Sequence, residues 1–392
     1  MTALVDAPRW PHPPREPLET PAPSLALGRY PTPVERLDPA QLPPMGGAAI
    51  WVKRDDKTHD VVGGNKVRKL ELLLADARAR GATHVWTVGA AGSHHVLATT
   101  YFGRREGFSV GAILVPQPRT EHVVLVLRAS LALGLEAKAV GSWGSAMATI
   151  LWRLGPGRAS DHAGRRSHFI TVGGSNTLGA MAYVRAAREL AGQVRAGEMP
   201  EPDLCVVALG SGGTAAGLAA GFALEGLKTE VVGIAVSPPV WMLEAITANL
   251  IGACLSRAHR ERGETPRTMR TPKWSVDPRM LGRGYGCATA EGERASAVGA
   301  RVGLELDATY TAKAFAGALT HAKEAASKKV VLYWHTLSSA PLAPLGHGDA
   351  EGARDTADSS ARARVDAHMA RLAPLLLSAV LPGAPPDEAP SS

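Results

Sequence analysis

Only three cysteines occur in 392 residues, Cys205, Cys254 and Cys287, and no two of them form a Cys-x-x-Cys pair. That scarcity excludes a disulfide framework and a cysteine zinc site, and it fits a reducing cytoplasm. Aromatic residues are also sparse, at 5%, which leaves few platforms for stacking nucleic-acid bases. The formal charge of +7 would suit a polyanion, but it is scattered over short pairs such as Arg104-Arg105 and Arg165-Arg166. Its densest stretch, Arg257 to Arg270, also carries Glu261 and Glu264. A protein that binds small anions, and not nucleic acid, is expected. The chain has no run of apolar residues long enough for a membrane span and no basic-then-apolar leader pattern. It is therefore expected off the membrane, in the cytoplasm.

With 45% hydrophobic residues, the chain can bury cores for two domains. Prolines crowd the start (Pro8, Pro11, Pro13, Pro14, Pro17, Pro21, Pro23), so residues 1–27 read as an extension with no core of its own. Residues 346–392 read as a second extension, with one amphipathic stretch, His368 to Val380, patterned as a helix and a frayed Pro-Gly-Ala-Pro-Pro close. Between them lie six strand candidates: Thr83–Val88, Ser109–Val115, Phe169–Val172, Leu204–Leu209, Glu230–Val236 and Val330–Trp334. Helical patterns follow them, as with Leu70, Leu73, Leu74 and Ala77 before Gly81. This alternation predicts an α/β protein whose parallel sheets are covered by helices on both faces, with ligands at the carboxyl ends of the strands.

The segment Val62-Gly63-Gly64-Asn65-Lys66-Val67-Arg68-Lys69-Leu70-Glu71 places two glycines before a helix that Asn65 is suited to cap. Lys66 then stands in the first turn beside Arg68 and Lys69. The positive helix end and the neighbouring cations disfavour an ammonium there, as a lysine nucleophile requires. A solvated basic turn would look the same. Further on, Asp203–Leu209 runs into Gly210-Ser211-Gly212-Gly213-Thr214-Ala215-Ala216-Gly217. A glycine turn opening a helix is an anion site. Gly210, Gly212 and Ala215 also match a dinucleotide fingerprint, but that reading needs an acid at the end of the next strand. The acid about 20 residues on, Glu230, opens that strand instead, and Val236-Ser237 occupy its end.

Gly63-Gly64-Asn65-Lys66-x-Arg68-Lys69-Leu70-Glu71 resembles the cofactor-lysine signature of the D-cysteine desulfhydrase and aminocyclopropane-carboxylate deaminase family, which has the tryptophan-synthase-β type of fold. Four further stretches share the resemblance: Gly92-Ser93-His94-His95, Gly173-Gly174-Ser175-Asn176-x-Leu178-Gly179, Gly284-Tyr285-Gly286, and Asp307-Ala308-Thr309-Tyr310-Thr311-Ala312-Lys313-Ala314. It covers about residues 28 to 345 and is poor over 240–283. It implies pyridoxal 5'-phosphate as cofactor, a small amino acid as substrate and a homodimer. Residues 28–69 and 181–345 would form a large cofactor-binding domain, and 70–180 a small one.

The resemblance also assigns roles. Lys66 would hold the cofactor covalently and act as base at Cα. Asn65, Lys69, Gly210, Ser211, Gly212, Gly213 and Thr214 would surround the cofactor, its phosphate resting on the glycine turn. Ser93 would act at the substrate, holding its carboxylate with the adjacent amides, although a plain helix cap explains a serine there equally well. His94, where the family has asparagine, and His95 would line the substrate site with Tyr285. No carboxylate or cysteine is spaced to complete a metal site with the two histidines, and no metal is expected. Tyr310 would be an acid-base partner, unless it is a core tyrosine. Thr311, where the deaminases have glutamate, and Thr336 would face the cofactor ring. A neutral partner there suits expulsion of a good β leaving group, which favours a lyase giving a keto acid and ammonia. Aminocyclopropane deamination, cysteate sulfo-elimination and a cofactor-binding protein with drifted catalysis are the alternatives. After His335-Thr336 the chain reads Leu337-Ser338-Ser339, where the family has two glycines, which marks a divergent branch.

Overall fold

The computed structural model describes residues 23–154, 164, 166–262, 271–325, 329–342, 345 and 359–378. Two main sheets organise them. The larger has six strands in the order β1 (Val34–Arg36), β2 (Ala49–Arg54), β11 (Val330–His335), β8 (Leu204–Leu209), β9 (Glu230–Ala235) and β10 (Trp274–Asp277). All its neighbours are parallel except β1 against β2. The smaller sheet is fully parallel, in the order β6 (Glu136–Ala139), β4 (Ser109–Val115), β3 (His84–Ala90) and β7 (Ser167–Phe169). A short pair joins β5 (Gln117–Pro118) to β12 (Leu377–Ser378).

The helices are α1 (Asn65–Ala79), α2 (His94–Arg105), α3 (Glu121–Ala132), α4 (Trp143–Leu154), α5 (Thr177–Arg195), α6 (Gly213–Glu225), α7 (Val240–Arg262), α8 (Ala290–Arg301), α9 (Thr311–Glu324) and α10 (Ser359–Leu376). Strand residues alternate between faces, and the large sheet shows what this does. Cys205, Val207, Leu332 and Trp334 bury against α5, α6 and α7. Their neighbours Val206, Val331 and Tyr333 bury against α8 and α9. A sheet covered on both sides needs near-continuous apolar strands, which is why β3, β4, β8, β9 and β11 were readable as runs. In the small sheet, Val85, Val110 and Leu114 face α1, α2 and α3, whereas Trp86, Ile113 and Val115 face Ala146 and Ile150 of α4. Helix α1 belongs to both cores: Leu70, Leu73 and Leu74 join the small-sheet cluster, and Leu72 joins the one around α5 and β8.

Three expectations change. The candidate Phe169–Val172 is a strand only over Ser167–Phe169, because Val172–Gly174 turn into a short 3-10 helix with Gly173 at φ 62. The C-terminal helix begins at Ser359, well before His368, and Val380 lies outside the described residues. It is built into the fold: Met369, Leu372 and Leu376 enter the small-sheet core, and Asp366 pairs with Arg128 at 2.8 Å. Before residue 28, Leu25 and Leu27 already lie against α1, their amides bonded to Glu71 at 3.0 and 3.1 Å. Among the described residues, no helix is long and apolar enough to cross a membrane.

Candidate functional site

The Lys66 loop is fixed from beneath. Gly64, at φ 91, takes the cap position of α1, and a Cβ there would lie 2.6 Å from Thr336 O. Only glycine combines that dihedral with so close an approach. Asn65 is therefore the first helical residue and not the cap. Its amide donates to Thr336 O at 3.0 Å, which ties the loop to the end of β11. Its freed side chain bridges two parts of the site: Nδ2 donates to Thr214 Oγ1 at 3.2 Å, and Oδ1 accepts from Lys66 Nζ at 2.9 Å. Deeper, Arg68 bonds Asp55 and Glu189, each at 2.8 Å. Asp55 also accepts from Tyr183 OH at 2.7 Å and Trp334 Nε1 at 2.8 Å.

That network revises the electrostatics expected around Lys66. Two carboxylates answer the charge of Arg68, so it is no free cation beside the amine. Lys66 is half-buried as a residue, and its amine is enclosed by protein. Burial lowers its pKa to about 8, against the opposing pull of the Asp307 carboxylate. Burial, then Lys66 itself, holds Lys69 well below the usual lysine range. A lysine so perturbed gives up its proton more readily than an ordinary one and so reaches its neutral, nucleophilic form at lower pH.

The glycine turn lies beside Lys66, linked to it through Asn65 and Thr214. Gly212 has φ 81, and α6 starts at Gly213. Lys69 Nζ donates to Gly173 O at 3.2 Å and to Ser175 Oγ at 3.1 Å. Ser175 Oγ is 2.8 Å from Ser211 Oγ and accepts from the Gly213 amide at 3.2 Å. A Cβ on Gly213 would come within 2.5 Å of Ser175 Oγ and 3.0 Å of Lys69 Nζ, so a side chain there would push both donors aside. Consecutive amides at a helix start, a lysine, and the hydroxyls of Ser175, Ser211 and Thr214 form a donor set suited to a phosphate. With Lys66 joined to Thr214 through Asn65, these residues fit a phosphate-bearing aldehyde. Glu230 lies elsewhere, at the start of β9 on Ser275 at 2.7 Å, which removes the acid a dinucleotide site would need.

At the end of β3, Ser93 caps α2, its Oγ accepting from Val96 N at 3.4 Å. His94 meets a residue the sequence did not single out: its Nε2 lies 2.7 Å from Nε2 of His122, with the rings stacked 5.0 Å apart. Burial and His122 lower the pKa of His94 to about 4. His95 is buried, with its Nε2 2.9 Å from Thr87 Oγ1. Gln117, also not singled out, accepts from the Gly92 amide at 2.9 Å.

Tyr310 lies against the glycine turn, its Cε1 3.1 Å from where a Gly210 Cβ would be. Its hydroxyl donates to Tyr285 OH at 2.7 Å, the rings edge to face. Burial raises Tyr285 to about 12 and Tyr310 well above the phenol range, so both carry their protons. Asp307 organises this corner, accepting from the amides of Thr309, Tyr310 and Thr311 at 2.9 to 3.0 Å. Thr311 Oγ1 donates to Asp307 Oδ1 at 2.6 Å, so that hydroxyl serves the start of α9. His122 and Gln117 reach the loop at Ser93 by tertiary packing, which no local pattern reports.

A family model described as "Pyridoxal-phosphate dependent enzyme" matches residues 25–336. A Pyrococcus furiosus protein provisionally named as a 1-aminocyclopropane-1-carboxylate deaminase is 33% identical over 335 residues, covering 83% of this chain and 94% of its own. The D-cysteine desulfhydrase of Yersinia pestis is 32% identical over 331 residues, covering 80% and 93%. The crystal structure of an ACC deaminase homologue aligns with a TM-score of 0.67 at 29% identity, covering 82% of this chain and 96% of that one.

Proposed function

The chain belongs to the family of pyridoxal-phosphate dependent enzymes, in the group of the aminocyclopropane-carboxylate deaminases and D-cysteine desulfhydrases, and within that group we propose a lyase that eliminates a β leaving group from a small amino acid such as D-cysteine. With one water consumed, the products are a 2-keto acid, ammonia and the protonated leaving group, hydrogen sulfide in the case of D-cysteine. One observation carries the reading: the Lys66 amine, lowered to about 8, is held through Asn65 to Thr214 of the glycine turn. When bound, pyridoxal 5'-phosphate supplies the aldehyde that takes an amine and the ring that accepts the electron pair released at Cα.

The chain's residues do the rest. Lys69 and the amides of Ser211 to Thr214 hold the phosphate, and Lys66 removes the proton from Cα. Proton removal by a positioned base contributes about 10²–10⁴-fold. Ser93 and the amides around it hold the substrate carboxylate, with His94, His95 and Tyr285 shaping the space beside it. Tyr310, protonated and paired with Tyr285, carries a proton to the leaving group. Thr311 spends its hydroxyl on Asp307, which leaves uncharged Thr336 to face the ring, and a ring without a negatively charged partner favours elimination over opening a cyclopropane. The assembly proposed is a cytoplasmic homodimer, to be checked by light scattering and fractionation.

The test is keto-acid release from D-cysteine, L-cysteate and aminocyclopropane carboxylate, assayed side by side. D-Cysteine should give the largest kcat/KM. Faster turnover of either other substrate replaces the substrate assignment. No turnover of any amino acid despite bound cofactor would instead support drifted catalysis, for which His94 in place of asparagine and the missing glycines after Thr336 argue. Lys66→Ala should abolish turnover, and an active Lys66→Ala protein would overturn the reading.

A further inference from the structure

The glycine turn has two flanks. Lys69 and Ser175 close one of them, from the side of α1 and the 173–175 loop. The other faces α7, within the stretch that least resembles the family. A Cβ built on Gly212 would stand 3.0 Å from Thr247 Oγ1, 3.3 Å from Ile246 and 3.6 Å from Leu250. Helix α7 thus lies directly on the turn, and Thr247 is the side chain nearest to it.

Thr247 is fully buried, and its hydroxyl has no hydrogen-bond partner among the described residues. Its companions on the inner face of α7, Leu243, Ile251 and Cys254, are buried and apolar or thiol-bearing. A valine would fill the same space without an unpaired hydroxyl. Buried polar groups are nearly always satisfied, and the exceptions call for an explanation such as an absent ligand. The surroundings point to the charge of that ligand. The hydroxyl lies 3.0 Å from where a Gly212 Cβ would stand, at the start of the 13-residue helix α6, and the first amides of a helix favour an anion.

We propose that Thr247 donates a hydrogen bond to the phosphate group of the cofactor, closing its seat from the flank opposite Lys69. The inference rests on the functional reading above, and it assigns α7 a share in holding the cofactor. A hydroxyl donating to a charged oxygen makes a stronger contact than a neutral pair, and its loss weakens binding by about ten- to hundred-fold.

The experiment uses the full chain stripped of cofactor, titrated with pyridoxal 5'-phosphate and in parallel with pyridoxal, which lacks the phosphate. Visible absorbance reports uptake. Thr247→Val should bind pyridoxal 5'-phosphate about ten- to hundred-fold more weakly and pyridoxal as wild type does. Thr247→Ser should retain wild-type affinity for both. The thermal midpoint of cofactor-free Thr247→Val should equal or exceed that of wild type, because an unpaired hydroxyl has been removed. Thr247→Ala, which adds no bulk, repeats the comparison should the valine variant not fold. Unchanged affinity of the variants for pyridoxal 5'-phosphate, or an equal loss for both ligands, overturns the assignment of Thr247 and leaves the functional reading standing. Failure of wild type to take up either ligand overturns both.

Discussion

Replacing Lys66 by methionine should stabilise the cofactor-free protein near neutral pH, and the gain should fade in alkali. The native pKa is about 8 against an ordinary 10.5, so the difference, 10.5 − 8, is about 2.5. At about 1.4 kcal/mol for each unit, the ceiling is about 3.5 kcal/mol. Lys66 is half-buried as a residue, so solvent screening brings the expected effect to about 1–2 kcal/mol. Below pH 8 the lysine is protonated in both the folded and the unfolded chain, and the folded state bears the full cost of a buried ammonium. Between pH 8 and 10.5 the native amine is neutral while the unfolded chain keeps its proton, so wild type gains stability as pH rises. The advantage of Lys66→Met in urea unfolding should therefore be about 1–2 kcal/mol larger at pH 7 than at pH 10. Methionine's own packing cancels in that comparison. An advantage that is flat across this range, or that grows with pH, would refute burial as the cause of the depressed pKa.

Asn65→Ala should weaken pyridoxal 5'-phosphate binding about tenfold, the loss of one or two neutral hydrogen bonds, read by absorbance titration. Tyr310→Phe should lower kcat for keto-acid release by about 10²-fold or more with little change in KM, and Tyr285→Phe, one bond further away, should lower it less. Leu376→Ala should cost about 2–4 kcal/mol in urea unfolding, since Leu376 is completely buried at the end of α10. A cost near zero would mean that the C-terminal helix is not part of the core.

What the sequence made legible was what is local. Five strands of the two sheets stood out because burial on both faces demands unbroken apolar runs. Strand β2 did not, because Lys53 and Arg54 end it. Both are buried, Lys53 answered by Glu189 at 2.6 Å and Arg54 by Asp56 at 2.7 Å, and Glu189 lies far away in sequence. The start of α10 was hidden for a similar reason: its first turns are polar and held by a contact to α3. At the site, Lys66 and the turn at 210–214 were visible as short motifs whose spacing dictates their geometry. The sequence favours Asn65 as the cap because asparagine is the commoner cap, whereas Gly64 with φ 91 leaves Asn65 free to bridge Lys66 and Thr214. His122, Ser175, Gln117 and Thr247 enter from other elements.

Because α1 is shared by two cores, the lysine amine is anchored to neither sheet alone. Leu73 and Leu74 follow the small sheet, Leu72 the large one, and close-packed interiors transmit small shifts instead of absorbing them. Occupancy of the loop at Ser93 can then be felt at position 66 as a change in how the first turn of α1 sits. Swapping one leucine of this helix for a smaller side chain would loosen that gearing while leaving every polar group of the cleft in place.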